Sequence, residues 1–316
     1  MAWRHKARKG HYPLPTSTAK SLLQKQIRRG ITKGALITAV HLIETDFVQF
    51  IRRLPIIVIE DTILHPELDK LTDILIRGSR KDYDFPEEDL TLLLKIVRDI
   101  SDVKVRDSNA SARRGASKTI QQSSLSDKAN ALIRSMKIRA AYGGTWDDKG
   151  MLWKYADLWA DRFLTNEEYW FKKFDEIYPE REPVDILKIR VIEKSDIISE
   201  TIDFHCSSII DDLADNKEVI RQIEIIFRDL DQDPKNILRE LIWHFRSKLN
   251  NRPFIWQPEK LCDEFTSELS FYKYLELFGK INHLIDKRTI KIIDGFKDAV
   301  NGSQFDIKLK DGKSGR

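Results

Sequence analysis

Apolar residues recur at intervals of three and four along most of the chain, which is the spacing of amphipathic helices. The clearest stretch runs from Ala35 to Phe50, where the apolar positions share one face of a helix expected to begin at Gly34. A shorter apolar stripe follows Thr18, and Gly30 is the residue expected to end that helix. The pattern predicts an all-α fold, a multi-helix globular array preceded by an extended basic arm.

Further helices are predicted from the same spacing, with proline and glycine marking their boundaries. The β-branched run from Leu54 to Ile59 fits a strand as well as a helix, and we interpret it as a buried helix that holds Pro55 in its first turn. The next helix is expected to open at Pro66. The remaining predicted helices cover residues 86–100, 125–141, 147–163, 166–178, 195–213, 217–230, 234–249 and 258–285.

Changes of composition divide the chain. The first 18 residues contain Gly10 and Pro13 and show no apolar period, so they are expected to be extended. Residues 102–127 are rich in small and polar residues, which is typical of an exposed loop or linker. The predicted parts are an arm (1–18), a helical domain (19–101), a basic loop (102–127), a second helical region (128–300) and a flexible tail (301–316).

Composition indicates a folded protein of the cell interior. Hydrophobic residues make up 41% of the chain, and charged residues of mixed sign make up 33%. The two cysteines, Cys206 and Cys262, are too few for a disulfide framework and lack the paired spacing of a zinc site. No apolar run approaches the roughly 18 residues needed to span a bilayer. We expect a soluble protein with no membrane partner and no cofactor, located in the cytoplasm or on the nucleoid, or alternatively in an organelle matrix.

The net charge of +4 conceals two basic segments. Residues 1–33 contain nine Lys or Arg and no Asp or Glu, and residues 104–139 contain nine basic residues against two acidic ones. Such segments are typical of arms and loops that contact nucleic acid. An acid-free first segment is also typical of organelle targeting, and a solvated basic terminus explains it equally well.

Sequence motifs for catalysis are weak. Residues 114–119 end in Lys-Thr like a phosphate-binding loop but lack its glycines. Three types of metal ligand lie close together in the sequence at Asp203, His205 and Cys206. On one helix these side chains would not converge, so they are weak candidates for a metal site. The alternative is a packed, hydrogen-bonded polar cluster. No serine elbow or HExxH pair is present. We expect a protein without catalytic activity, with a metal-dependent enzyme as the weaker alternative.

Glycine and tryptophan mark one further stretch. Gly143 and Gly144 can adopt positive φ, so residues 142–150 are predicted to form a turn between helices, with close approach to a ligand as the alternative. Trp153, Trp159 and Trp170 follow on amphipathic helices. Core packing is the usual use of such tryptophans, and base stacking is the rarer one.

Residues 21–61 contain an ordered set of short motifs. Residues 23–30 read Leu-Gln-Lys-Gln-Ile-Arg-Arg-Gly, and an alanine-containing helix follows them. Six residues then separate Arg52-Arg53 from Glu60-Asp61. This order resembles the C-terminal helical region of the RarA/MgsA family, clamp-loader-related AAA+ ATPases of DNA replication and recombination. The chain shows no ATPase domain of that family, and Thr62 to Pro66 departs from its pattern. The resemblance implies a collar-like helical domain that acts in assembly and DNA transactions without ATP hydrolysis.

We therefore expect a helical accessory protein of DNA replication, repair or recombination that binds nucleic acid, DNA rather than RNA. The alternative is a protein-interaction subunit or inhibitor that docks on a larger assembly, and a protein partner or homo-oligomer is expected in either case. The Arg-Arg pairs could face phosphates, or could pair with Glu60 and Asp61 to join two helices. The predicted contacts come from Arg4, Lys6, Arg8, Lys9, Lys25, Arg28, Arg29, Arg52, Arg53, Arg113, Arg114 and Lys118.

Overall fold

The structure is a computed structural model that describes residues 10–80, 83–107, 125–202, 207–228, 231–256 and 268–302. Within these ranges the chain forms ten α-helices, joined in places by short 3₁₀ turns and by one π-helical segment. The prediction of an all-α fold is confirmed. Half of the predicted basic arm, most of the predicted loop and almost all of the predicted tail lie outside the described residues.

The first four helices are α1 (Thr16–Arg28), α2 (Thr32–Asp61), α3 (Leu68–Gly78) and α4 (Glu87–Asp102). Gly30 follows α1 with a φ of 68°, as expected of the residue that ends a helix. The separate helix predicted to start at Pro55 is wrong, because Pro55 lies inside α2. The backbone of α2 is instead interrupted at Asp46, whose carboxylate accepts a hydrogen bond from the Gln49 amide at 3.3 Å and so caps the restarted helix.

Helix α2 is long and apolar enough, by length and composition, to cross a membrane. The core helix of a globular protein meets the same criterion. Here 61% of the most apolar window of α2 is buried by the rest of the protein, and α2 packs against α1, α3 and α4. Its apolar residues therefore build the core of this fold.

The next pair is α5 (Asp127–Ala141) and α6 (Trp146–Ile177). The first part of the predicted turn is confirmed, since Gly143 and Gly144 have φ values of 95° and 115°. Residues 146–150, which were predicted to belong to the turn, are the first residues of α6. Thr145 then caps α6: its hydroxyl accepts from the Asp148 amide, and the Asp148 carboxylate accepts from the Thr145 amide, both at 3.1 Å. Two helices were predicted here, and they form one element with a break at Asn166.

Helices α1 to α6 surround a single apolar core. It extends from Ala19 in α1 to Tyr178 just after α6, and its largest fully buried side chain is Trp159. The predicted division assigned residues 19–101 and 128–300 to separate helical regions. The core includes both α2 and α6, so residues 102–127 do not separate two cores.

The remaining chain contains irregular and helical parts. The first part of the helix predicted for residues 195–213 is wrong: Lys194–Asp196 and Ser199–Thr201 are 3₁₀ turns. Asp196 accepts a hydrogen bond from the Glu193 amide and pairs with Arg190, and such local side-chain bonds compete with helix formation. The elements that follow are α7 (Ser207–Ala214), α8 (Lys217–Ile226), α9 (Pro234–Ile242), the π-helical segment Trp243–Ser247 and α10 (Glu268–Gly302).

A second apolar core lies among α7 to α10, with Leu241 and Ile281 fully or almost fully buried in it. It also receives Tyr12 and Leu22 from the N-terminal part of the chain. Leu22 belongs to this second core, while the adjacent Leu23 belongs to the first. Helix α1 therefore lies between the two cores and contributes to both.

Candidate nucleic-acid interface

Arginines predicted to contact nucleic acid form an intramolecular network between α1 and α2. Arg28 pairs with the buried carboxylate of Asp61. Arg53 donates to Gln24 at 2.6 Å and to Glu60 at 3.2 Å. The Gln24 amide in turn donates to Glu60 and Asp61, both at 2.9 Å. The alternative that these residues join two helices is the arrangement found here.

The two arginines that end α1 also reach the π-helical segment. Arg29 donates to the carbonyl oxygen of Arg246 at 2.7 Å. Arg28 donates to the carbonyl oxygen of Ser247. Carbonyl groups at a helix end lack intrahelical partners, and cations there are stabilising. Arg28 and Arg29 therefore join the first core to the C-terminal helices.

Other predicted contact residues occupy different environments. Lys25 is only 4% exposed, so its ammonium group is not on a surface that a polyanion could reach. Arg52 is half-buried. Its carbonyl oxygen accepts two hydrogen bonds from Arg139, at 2.6 and 2.9 Å. The remaining predicted residues lie outside the described ranges: Arg4, Lys6, Arg8, Lys9, Arg113, Arg114 and Lys118.

Glu60 is the unusual titrating group of this network. Burial raises its pKa, and the nearby Arg53 guanidinium opposes that rise. A carboxyl group with a raised pKa is a candidate for acid-base chemistry when it faces a substrate site. The Glu60 carboxylate instead accepts hydrogen bonds from Gln24 and Arg53. Its role in this arrangement is to connect helices.

A different basic surface lies where α5 and the first half of α6 run side by side. Trp146 is 82% exposed, and Trp153, two helical turns further along α6, is 43% exposed. The Lys137 ammonium group of α5 lies 5.5 Å from the centre of the Trp153 ring. Exposed tryptophan beside lysine is the combination found on surfaces that bind single-stranded nucleic acid. We call Trp146, Trp153, Lys137, Arg134 and Lys149 the tryptophan–lysine face.

The tryptophan–lysine face carries three cations, and the acidic side chains nearest to them on α6 are Asp157 and the two aspartates of its first turn. Arg134 is exposed and one turn from Lys137 on α5, while Lys149 lies between the two tryptophans on α6. Within the described part of the chain, the side chains of Arg134 and Lys149 make no hydrogen bond or ion pair. Asp157, one turn beyond Trp153, adds one negative charge to the same stripe.

The N-terminus of α6 is already neutralised. Asp147 and Asp148 lie in its first turn, where acidic side chains stabilise the helix dipole. A phosphate is therefore not expected at this helix end. The cations available to a polyanion are those of α5 and Lys149.

The other two predicted tryptophans behave differently from Trp153. Trp159 is fully buried, and Trp170 packs against it with ring centres 4.8 Å apart. The Arg162 guanidinium lies over both rings, at 4.6 and 5.2 Å, and over Trp256 at 4.6 Å. Arg162 also pairs with the buried Asp107 at 2.5 Å. Because an arginine of the chain itself lies over these rings, they serve core packing.

Metal binding gains no support in the part of the chain that the structure describes, where no group of three or more His, Cys, Asp or Glu side chains converges. The weak candidates Asp203, His205 and Cys206 lie outside the described residues. His65 is fully buried with its Nε2 atom 3.5 Å from Asp99.

Two histidines and a glutamate attach the start of the described chain to α2. His11 Nε2 lies 2.6 Å from the Glu44 carboxylate, and His11 Nδ1 lies 3.2 Å from His41 Nδ1. Burial, together with the nearby His11, lowers the pKa of His41 to about 4. His41 is therefore neutral at physiological pH and accepts or donates a single hydrogen bond within this cluster.

Comparison with known proteins adds no further assignment. No family model, curated protein or solved structure matches the chain. The resemblance of residues 21–61 to the RarA/MgsA family therefore depends on the motifs themselves. Their arginines and carboxylates lie in the network that joins α1 to α2, whereas Arg134, Lys137 and Lys149 lie elsewhere, on the tryptophan–lysine face.

Proposed function

We propose that this protein binds nucleic acid through the tryptophan–lysine face of α5 and α6. The observation that carries the proposal is the contact between Lys137 and the exposed ring of Trp153, with Trp146 still more exposed on the same helix. Arg134 and Lys149 add positive charge without internal partners among the described residues. Cations of this kind contribute affinity that does not depend on sequence, by displacing counterions from phosphates.

The proposal changes the location of the predicted interface. Arg28 and Arg53 pair with carboxylates inside the fold, so they are not part of it. The basic segment 104–139 remains part of it through Arg134 and Lys137 of α5. A role as an accessory protein in DNA replication, repair or recombination is supported by the resemblance of residues 21–61, and we include it in the proposal.

A titration of fluorescently labelled oligonucleotides tests this function. Single-stranded and duplex DNA and RNA are each titrated with the protein at about 50 and 200 mM salt, and binding is followed by anisotropy. We expect binding at the lower salt concentration and a steep loss of affinity at the higher one. The absence of binding to every oligonucleotide at the lower concentration would reject the proposal.

Protein interaction is the second candidate function, and a surface of α10 favours it. Tyr272, Leu275 and Ile290 are 57%, 42% and 52% exposed on this helix, and their spacing places them near one face. Tyr272 and Leu275 lie one turn apart and form a small exposed apolar patch, and such patches occur at protein-protein contacts. Light scattering tests self-association: a mass above that of one chain that returns to 37.0 kDa in Leu275→Glu would support this candidate. A monomeric wild type would reject self-association through α10.

A further inference from the structure

The two exposed tryptophans of α6 are separated by a glycine. Gly150 lies four residues after Trp146 and three residues before Trp153. Residues at these separations lie on the same side of a helix. Lys149 also lies on this side, three residues after Trp146 and four before Trp153. The backbone between the two indole rings is therefore bare at Gly150, with one flexible lysine side chain beside it.

Gly150 has no evident packing function. A Cβ atom built at this position would meet no heavy atom within 4 Å, and its φ is not in the positive range that favours glycine. Glycine inside a helix is less favourable than alanine by about 1 kcal/mol. Gly150 therefore weakens the helix without relieving any contact in the fold. Its missing side chain leaves open space between Trp146 and Trp153.

The helical rise between Trp146 and Trp153 matches the dimensions of stacked bases. Seven residues of α-helix correspond to a rise of about 10.5 Å. Two stacked bases between two rings require three intervals of about 3.4 Å each, which is the spacing of bases along one strand. Helical side chains lean in the same direction along the axis, so two indoles in the same rotamer keep this separation.

We propose that Trp146 and Trp153 bracket two stacked bases of a single-stranded nucleic acid, which lie over the bare backbone at Gly150. This inference deepens the proposed function and depends on it. The faces of bases in a duplex are covered by neighbouring pairs, so only an unpaired strand can place its bases between the indoles. Lys137 contacts the Trp153 ring, and Arg134 lies one turn before Lys137 on α5 and makes no hydrogen bond or ion pair with the described residues. Both cations can attract the phosphates of the bound strand.

The test compares single-stranded and duplex oligonucleotides of about twelve nucleotides with the full chain and its variants. Trp146→Ala and Trp153→Ala are each expected to weaken single-strand binding by roughly 5-fold to 150-fold, which corresponds to the loss of one stacked base. Duplex affinity and the salt dependence are expected to stay as in the wild type. Trp153→Phe retains a stacking surface and is expected to lose less affinity than Trp153→Ala.

Gly150 provides an independent test of the bracket. Gly150→Leu places a branched side chain between the indoles and is expected to weaken single-strand binding by at least the same factor as Trp153→Ala. The control is Tyr169→Ala, which removes an aromatic ring that is 51% exposed on α6 beyond the break at Asn166 and is expected to leave the affinity unchanged. Circular dichroism of each variant checks that the helical fold is retained.

The possible outcomes separate this inference from the proposed function. Binding by the wild type with no selective single-strand loss in Trp146→Ala, Trp153→Ala or Gly150→Leu would overturn the bracket and leave nucleic-acid binding intact. Equal losses for single strand and duplex would also overturn it. No binding of either oligonucleotide by the wild type at low salt would overturn the proposed function itself.

Discussion

The guanidinium group of Arg252 donates a hydrogen bond to the carbonyl oxygen of Ile100, at a distance of 2.9 Å. The same group donates to the carbonyl oxygens of Ile27 and Asp61, at 2.5 and 3.3 Å. These three carbonyls lie at the C-terminal ends of α4, α1 and α2. One buried cation therefore satisfies the ends of three helices and attaches the segment after the π-helical turn to the first core.

Loss of this side chain is expected to destabilise the protein strongly. Arg252→Met leaves several buried carbonyls without donors, and we expect the free energy of unfolding to fall by about 3 to 5 kcal/mol. Arg252→Lys keeps a positive charge with fewer donors and should lose less. Urea unfolding of both variants checks this, and a loss below about 1 kcal/mol in Arg252→Met would contradict the assigned role.

Burial also affects the titration of this group. It lowers the pKa of Arg252 to about 10, while the nearby Asp61 opposes that shift. Arg252 is therefore still charged at neutral pH and keeps its attraction for the helix ends.

Arg28 provides a contrast between structural and binding cations. Its guanidinium pairs with Asp61, whose side chain is only 2% exposed. Arg28→Gln is expected to lower the free energy of unfolding by about 1 to 3 kcal/mol, because a buried acceptor loses a charged donor. The salt dependence of nucleic-acid binding should not change in this variant. A shallower salt dependence in Arg28→Gln would instead place this arginine against phosphate.

His41 predicts a loss of stability in mild acid. Its pKa of about 4 in the fold lies below the ordinary histidine value of 6.5, so above pH 6.5 the neutral form predominates in both states and its contribution is fully present. As pH falls from 6.5 towards 4, the unfolded chain takes up a proton that the folded chain does not. The expected loss is about 3 kcal/mol, since each pKa unit corresponds to about 1.4 kcal/mol.

Unfolding at pH 7.5 and pH 4.5 checks this prediction, with His41→Gln as the variant that cannot titrate at this position. The difference in stability between the two pH values should be smaller in the variant than in the wild type. An equal difference in both proteins would show that His41 does not cause the acid sensitivity.

Gly150 and Gly144 make a matched pair for stability. Gly150→Ala is expected to stabilise the protein by about 0.5 to 1 kcal/mol, because the helical position is open and alanine favours helix. Gly144→Ala is expected to destabilise it by about 1 kcal/mol or more, because φ there is 115° and a Cβ would lie 3.1 Å from Asp148. Thermal unfolding measures both, and the same sign for the two variants would contradict this reading of the turn.

Helix positions could be predicted where local spacing decides them. The apolar stripe after Gly34 and the turn at Gly143 and Gly144 are both found as expected. Pro55 misled the prediction because a proline inside a long buried helix loses one hydrogen bond while its neighbours remain packed. The irregular backbone around Asp196 was not predicted, because side-chain hydrogen bonds determine its conformation there and apolar spacing does not.

The candidate site depended on contacts between distant parts of the chain. Arg28 and Asp61 are 33 residues apart, and no local pattern distinguishes such a pair from an exposed basic patch. Nor could the sequence separate the exposed Trp153 from the buried Trp159, since that depends on which side of α6 packs against the core. Arg252 had no local signal at all, because its partners lie on three other helices.

The central claim is that the tryptophan–lysine face, and not the arginines of α1 and α2, contacts nucleic acid. The most direct measurement is the slope of log affinity against log salt for a single-stranded oligonucleotide. It is compared between the wild type and the variant that combines Arg134→Gln, Lys137→Gln and Lys149→Gln. Each lost phosphate contact should reduce the magnitude of the slope by about 0.7, so we predict a reduction of about 2. An unchanged slope with unchanged affinity in this variant would contradict the claim.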